Sequence, residues 1–203
     1  HVGVPLIEFL RDEGVVHVTA SDIDPARVEA ITGSVEGLDL DCRVVDPSDA
    51  SVLFSEVDIA APCAIGGVLN PATIGRIRAP IVCGAANNQL ADPARDDVLL
   101  MKANVLFVPD FLVNRMGIVN CADEQYGHAT GNAGFERHLS EDWHGGIYQV
   151  TRRVLAQAQA AGKTPAAVAR EEADRLSLEP HPIWGHRSAE IIADLTSNGW
   201  AQR

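Results

Sequence analysis

The chain is nearly devoid of lysine. Lys102 and Lys163 are the only two, against 28 acidic residues, and the formal net charge is -12. Proteins that grip nucleic acid or an anionic membrane surface need clustered Lys and Arg, so this balance argues against both partners. No apolar run reaches the ~18 residues required to span a bilayer. No charged-then-apolar leader opens the chain either, and its first residue is His1 rather than Met. Cys42, Cys63, Cys83 and Cys121 show neither CxxC nor Cys/His ligand spacing. Each lies in or beside an apolar segment, which predicts reduced, buried thiols in a cytoplasmic protein and no metal site.

What is present is an alternation. The 203 residues, 46% of them hydrophobic, suffice for one large or two small domains with a sizeable core. Residues 3–13 place Leu6, Ile7 and Leu10 on one helical face and stop at Gly14. Strands are predicted at 15–21, 41–45, 57–61, 81–84 and 105–108. Between them come helices at 25–32, 47–54, 70–77 and 94–103. Helix and strand alternating in this way give βαβ units and a largely parallel sheet. Beyond Asp110 the pattern is helical only: 111–126, a loop at 127–134, a long helix at 139–161 that Gly145–Gly146 could interrupt, then 165–176 and 188–195.

The segment 81–90, IVCGAANNQL, suits a strand buried on both faces that ends in small residues and two amides. Small residues let another molecule approach the backbone, and amides both donate and accept hydrogen bonds. In open α/β sheets ligands bind at the carboxyl ends of the strands. At the N-terminus, Gly3 opens a helix and Asp22 follows 19 residues later at the end of the next strand. That is the spacing from the last glycine of a dinucleotide fingerprint to the acid that bonds the adenosine ribose. On this reading the first strand and the first two glycines lie upstream of His1. Asp22, with no basic residue before Arg27, favours NAD over NADP, because a carboxylate repels a 2′-phosphate.

Three stretches together, APCAIG at 61–66 with Val68–Leu69–Asn70, GAANNQL at 84–90, and PDFLVNRMGIVNCADE at 109–124, resemble the leucine, valine and phenylalanine dehydrogenases of the glutamate dehydrogenase superfamily. The resemblance runs from Gly3 to about Tyr126 and more weakly to about 175. It implies an α/β fold: a Rossmann-type, doubly wound, mostly parallel sheet with its first strand missing and a C-terminal helical extension. Residues 1–126 would form the dinucleotide-binding domain, and 127–203 a helical tail packing on it and towards a missing N-terminal substrate domain.

The implied reaction is NAD-dependent oxidative deamination of an L-amino acid to its 2-oxo acid and ammonia, in a homo-oligomer when intact. Two lysines and an aspartate from the preceding domain would supply the acid–base chemistry; Lys102 and Lys163 match neither lysine motif. By the same resemblance Val2, Gly3, Asp22, Ile23, Ala61, Pro62, Cys63, Ala64, Ala86, Asn87 and Asn114 would bind the cofactor, with Gly84–Ala86 as the floor under the nicotinamide. Asn88 would orient the reacting groups without moving protons. Ile118 and Cys121 would line the substrate side-chain pocket. Both are apolar, and burying an unpaired carboxylate among such groups is costly, so an aliphatic or aromatic substrate is expected over glutamate. The family's Asn-Ala-Gly-Gly is Asn114–Arg115–Met116–Gly117 here, two long side chains for two small ones. Arg115 and Met116 are expected either to shift the backbone or to point away into packing or solvent. His128, His138 and His144 are expected to be solvated rather than to bind metal. The residues leave two alternatives open: a non-catalytic NAD-binding fragment, and an NAD-dependent dehydrogenase of another substrate, such as glutamate or a hydroxy acid.

Overall fold

A computed structural model describes residues 2–124, 133–179 and 196–197. They belong to two compact units, His1–Ala122 and Asp123–Arg203.

In the first unit, helix α1 (Gly3–Asp12) buries Ile7 and ends where Gly14 takes a left-handed φ of 86°. That conformation lets the Val15 N–H return to the Leu10 carbonyl, a close that glycine makes without steric cost. Strand β1 (His17–Asp22) runs parallel to β2 (Asp39–Val44), with helix α2 (Pro25–Ser34) as the crossover. Asp24 caps α2 by accepting the Ala26 N–H, and Pro25 sits at N1, where its missing N–H costs nothing. Ile7, Ile31 and Val35 form the small core of this half, against Val18, Leu38 and Leu40.

A second, larger core of Leu53, Ile74, Val82, Leu100 and Phe107, among others, belongs to a separate parallel sheet. Its order is β3 (Ile59–Ala60), β4 (Ile81–Val82), β5 (Leu106–Phe107). The connecting helices are α3 (Pro71–Ile74) and α4 (Pro93–Lys102), and β5 leads into α5 (Asp110–Val113) and α6 (Met116–Glu124). In a doubly wound sheet of order 3-2-1-4-5-6 the first strand lies between the second and the fourth. Here β1 and β3 belong to different sheets, so the break falls at that position.

These strands are two residues long, shorter than the four or five expected, although backbone bonds between the neighbouring segments continue just past their ends. Cys83 donates to Ala60, Ala86 to Pro62 and Val108 to Val82. The helix expected at 47–54 is only a 3-10 turn, Ser51–Phe54, since Asp46 and Asp49 tie up the Ser48 and Ser51 N–H groups in side-chain turns. The single helix expected at 111–126 is two, with Asn114 closing the first.

Asp92 caps α4, accepting from the Ala94 and Arg95 N–H groups, while the fully buried Asp96 accepts the Asp92 N–H in return at 2.8 Å. The Arg95 guanidinium bonds both Asp96 oxygens and, with that N–H, holds the carboxyl below its ordinary pKa. A depressed folded pKa stabilises the protein above the unfolded value of about 3.9 and loses that contribution as pH falls. Asp96→Asn is therefore expected to flatten the dependence of unfolding free energy on pH below about 4, read from denaturant titrations across the acid range. An unchanged acid limb would contradict this.

In the second unit, α7 (Ala133–Arg137) precedes a turn, and α8 (Ile147–Ala161) and α9 (Pro165–Leu176) pack together. The long helix expected at 139–161 begins only at Ile147. Trp143 folds over Gly145, where a Cβ would lie 2.7 Å from the indole, and a Cβ on Gly146 would meet the Ser140 carbonyl at 2.4 Å. The two glycines make a fold-back that a helix running through 139–146 could not contain, and α8 starts directly after it. His138 is buried edge-on against the Trp143 ring, not solvated as expected. His144 is exposed, and His128 lies outside the described residues, as does the helix expected at 188–195. Gly162, at a φ of 63°, ends α8, and Thr164 caps α9. Lys163 pairs with Glu171, and Arg153 reaches the largely buried Glu172. Lys102 is exposed. No described helix is long and apolar enough to cross a membrane, and no described His, Cys, Asp and Glu cluster has metal-ligand geometry.

Candidate functional site

Three loops leave the carboxyl ends of β3, β4 and β5, and because the strands are parallel neighbours the loops are neighbours too. The first is laid on the second: the Gly67 N–H donates to the Asn88 carbonyl at 2.8 Å and the Leu69 N–H to the Gln89 carbonyl at 3.0 Å. A Cβ on Gly66 would come within 2.9 Å of both the Asn87 and Asn88 carbonyl oxygens, so only glycine allows this approach.

The second loop is clamped from below by Gln89. This side chain is completely buried, and its Nε2 donates to the Gly84 carbonyl at 2.7 Å and the Ala86 carbonyl at 3.0 Å. The clamp leaves Asn87 and Asn88 exposed at the tip, with Asn88 in the left-handed region at a φ of 53°. Asparagine tolerates that region better than most residues. The third loop holds the tip from the side. The Asp110 carboxylate accepts the Asn88 N–H at 2.7 Å. Asn114 Nδ2 donates to Asn87 Oδ1 at 2.7 Å and more weakly to the Ala85 carbonyl.

Three of the residues singled out from the sequence, Asn87, Asn88 and Asn114, thus meet at one strand-end edge. Around them, Ala61 and Ala64 are exposed, Cys63 is half-buried and Pro62 is buried. Ala86 is buried, its N–H on the Pro62 carbonyl. Gly84 is not an open floor, contrary to expectation. What approaches its backbone is Pro62, whose oxygen would lie 2.2 Å from an added Cβ.

The thiols also differ from expectation. Cys42, Cys63 and Cys83 are half-buried and Cys121 is exposed, all of them free. Burial, and secondarily Cys63, pushes the Cys83 thiol up; burial followed by Asp22 and Asp41 does the same for Cys42. A protonated thiol is a poor nucleophile. Ile118 and Cys121 stand one turn apart on α6, both exposed, and present an apolar face. Arg115 and Met116 are half-buried at the break between α5 and α6, which excludes a purely solvent placement.

Asp22 and Ile23 lie at the end of β1, in the other sheet. Asp22 Oδ1 accepts the Asp24 N–H at 3.0 Å, while Oδ2 faces Arg27 at 3.9 Å, beyond hydrogen-bond reach. That oxygen is available to accept from a sugar hydroxyl, so the residue fits the ribose of a dinucleotide. Val2 precedes α1 with no side-chain cap, and the space beside Gly3 is open. Backbone N–H groups at such a helix start suit a diphosphate.

Three residues, Gln89, Asp110 and Arg27, carry no site role in the sequence, where Arg27 enters only as the first basic residue after Asp22. The first two sit inside motifs that were read for their amides. The available signal was topological, since neighbouring parallel strands bring an acid after β5 beside the loop after β4.

The family model for glutamate/leucine/phenylalanine/valine dehydrogenases matches residues 2–179. Valine dehydrogenase of Streptomyces coelicolor is 36% identical over 181 residues, covering 89% of this chain and 46% of that protein. Leucine dehydrogenase of Bacillus subtilis is 37% identical over 179 residues, covering 88% and 44%. The crystal structure of L-tryptophan dehydrogenase from Nostoc punctiforme superposes with a TM-score of 0.70 at 30% identity, over 84% of this chain and 47% of that one. The chain therefore spans less than half the length of each of these relatives. Both its sequence and its fold place it in the glutamate/leucine/phenylalanine/valine dehydrogenase family.

Proposed function

We propose that this chain is the cofactor-holding part of an amino-acid dehydrogenase that converts an apolar L-amino acid to its 2-oxo acid and ammonia, with NAD as the hydride acceptor. The observation that carries the proposal is the convergence of Asn87, Asn88 and Asn114 on one strand-end edge. NAD, when bound, supplies the electrophilic carbon that accepts the substrate hydride. Asp22 would hold the adenosine ribose, and the N-terminus of α1 the diphosphate. The amides at the loop tips would fix the carboxamide and the substrate in relative orientation.

These amides do not move protons. Asp110 is committed to the Asn88 N–H, Lys102 is exposed at the end of α4, and Lys163 is paired with Glu171. The acid and base of the deamination would come from outside this cluster, which fits a chain spanning less than half of its relatives. Ile118 and Cys121 offer neither a cation nor a hydroxyl to a distal carboxylate. Desolvating such a group unpaired costs roughly 2–7 kcal/mol for a merely polar atom and more for a charge.

The test is NADH formation by the whole protein at alkaline pH with leucine, valine, phenylalanine and glutamate. Turnover of one or more of the apolar substrates, with little or none of glutamate, is expected. Turnover of glutamate alone would overturn the substrate assignment.

A further inference from the structure

Away from the strand-end loops, a trio of side chains is joined by hydrogen bonds across the amino-terminal ends of β1 and β2. Successive side chains of a strand point to opposite faces. Val18 and Ala20 join the small core with Leu40 and Cys42, so His17 and Thr19 share the other face, and the register sets His17 directly opposite Asp39. His17 Nδ1 lies 2.9 Å from Asp39 Oδ2, and Nε2 lies 3.1 Å from Thr19 Oγ1. A carboxylate accepts and cannot donate, so the ring hydrogen of this contact is on Nδ1. In the neutral ring Nε2 is then the acceptor, and the Thr19 hydroxyl donates to it. A hydroxyl held on a base that a third group orients is the arrangement by which weak nucleophiles are activated. The His17 side chain is 46% exposed and that of Asp39 80%. Exposed pairs of this kind contribute little to stability, so the fold does not demand the arrangement.

We propose that Thr19 is an acyl-accepting nucleophile, with His17 as its general base and Asp39 as the positioning residue that holds the imidazole. In the step, Thr19 Oγ1 attacks the carbonyl carbon of an activated ester or thioester. The bond from Oγ1 to that carbon forms, and the bond to the alcohol oxygen or thiol sulfur breaks. The hydroxyl proton passes to His17 Nε2 and from there to the leaving group. The products are O-acyl-Thr19 and a free alcohol or thiol, and no oxidant, metal or dinucleotide is consumed. The register sets Asp41 opposite Thr19 and Arg43 opposite Ser21 on the same face. A carboxylate opposite the nucleophile repels an anionic acyl group, so the class of donor is a neutral ester or thioester rather than an acyl phosphate.

The test incubates the full chain with 4-nitrophenyl acetate and, separately, with a small acetyl thioester, and follows acetyl on the Thr19 oxygen by peptide mass spectrometry. Exposed Cys121 and Lys102 also take acetyl groups, so the rate is read at Thr19 and the Cys121 rate serves as the internal control. The parent is expected to acetylate at Thr19. Thr19→Val should carry no acetyl at that position, and Thr19→Ser should keep the reaction. His17→Gln is expected to slow it by about 100-fold or more, the size of a general-base contribution. Asp39→Asn should fall between parent and His17→Gln because the tautomer is no longer fixed, and Asp39→Glu, which keeps a carboxylate, should recover the rate. A variant that merely loosens the fold would change the Cys121 rate and lower the melting temperature, which these substitutions should leave unaltered. No acetyl on Thr19 in the parent, or a Thr19 rate unchanged by His17→Gln, overturns the proposal. The assay contains no dinucleotide, so its outcome is independent of the dehydrogenase reading.

Discussion

Gly84→Ala is expected to lower the free energy of unfolding by roughly 2–3 kcal/mol, the upper part of the range for overpacked cores. The size follows from what the new methyl meets. It would lie 2.2 Å from the Pro62 carbonyl oxygen and 2.5 Å from the Pro62 nitrogen. Both are backbone atoms that cannot rotate away as a side chain would. The Pro62 carbonyl also accepts the Ala86 N–H, and the Gly84 carbonyl accepts from buried Gln89. Separating these segments therefore strains the clamp beneath Asn87 and Asn88, so nucleotide binding should weaken along with stability. Gly33→Ala is the control, since nothing lies within 4 Å of a Cβ there and the residue is inside α2. Alanine in a helix is favoured over glycine by about 1 kcal/mol, so that variant should be neutral or more stable. Urea titrations of the three proteins give the comparison. A Gly84 variant as stable as the parent would show that Pro62 does not close on this position.

The order of elements and the location of the site were legible because they rest on patterns local in sequence. The caps at Asp24, Asn70 and Asp92 emerge only in the structure, whereas the apolar runs and the stop at Gly14 each act over only a few residues. Such signals survive without knowledge of neighbours. What could not be read depends on contacts between distant residues. Gly84 looked like room for a ligand, yet Pro62, 22 residues earlier, fills that room. Gly145 and Gly146 looked like a weak point in a helix, while the position of the Trp143 indole makes them the end of a turn. Asp110 marked only the point where the strand–helix alternation ends, and only the β4–β5 pairing shows that its carboxylate reaches Asn88. Arg27 looked too far from Asp22 to matter, but one extended residue pair and a helix start bring it back within 4 Å. Strand-end loops are where such cross-chain contacts concentrate, which is also why function gathers there.

Asp110→Ala is expected to reduce kcat/KM of the whole enzyme by about 10- to 100-fold, the equivalent of a charge-assisted hydrogen bond worth roughly 1.5–3 kcal/mol. The carboxylate would act through Asn88 and not on the reacting atoms themselves. It accepts the Asn88 N–H at 2.7 Å and so holds a residue whose backbone φ of 53° few side chains adopt unaided. Without that anchor Asn88 can relax toward commoner backbone angles, taking its amide away from the strand-end edge. The loss should fall mainly on kcat, because the amides at the loop tips orient rather than bind, whereas affinity for 5′-AMP, a ligand of the Asp22 end, should be unchanged. Asp110→Asn retains an oxygen that can accept the same N–H and should recover most of the activity. A role in folding alone would show a different pattern. Both variants would then lose melting temperature and kcat in parallel, and 5′-AMP binding would decline with them. Full activity in the alanine variant would mean that Gln89 and Asn114 suffice to hold the tip. In that case the left-handed turn at Asn88 would be stable by its own Asn preference rather than by the acid that follows β5.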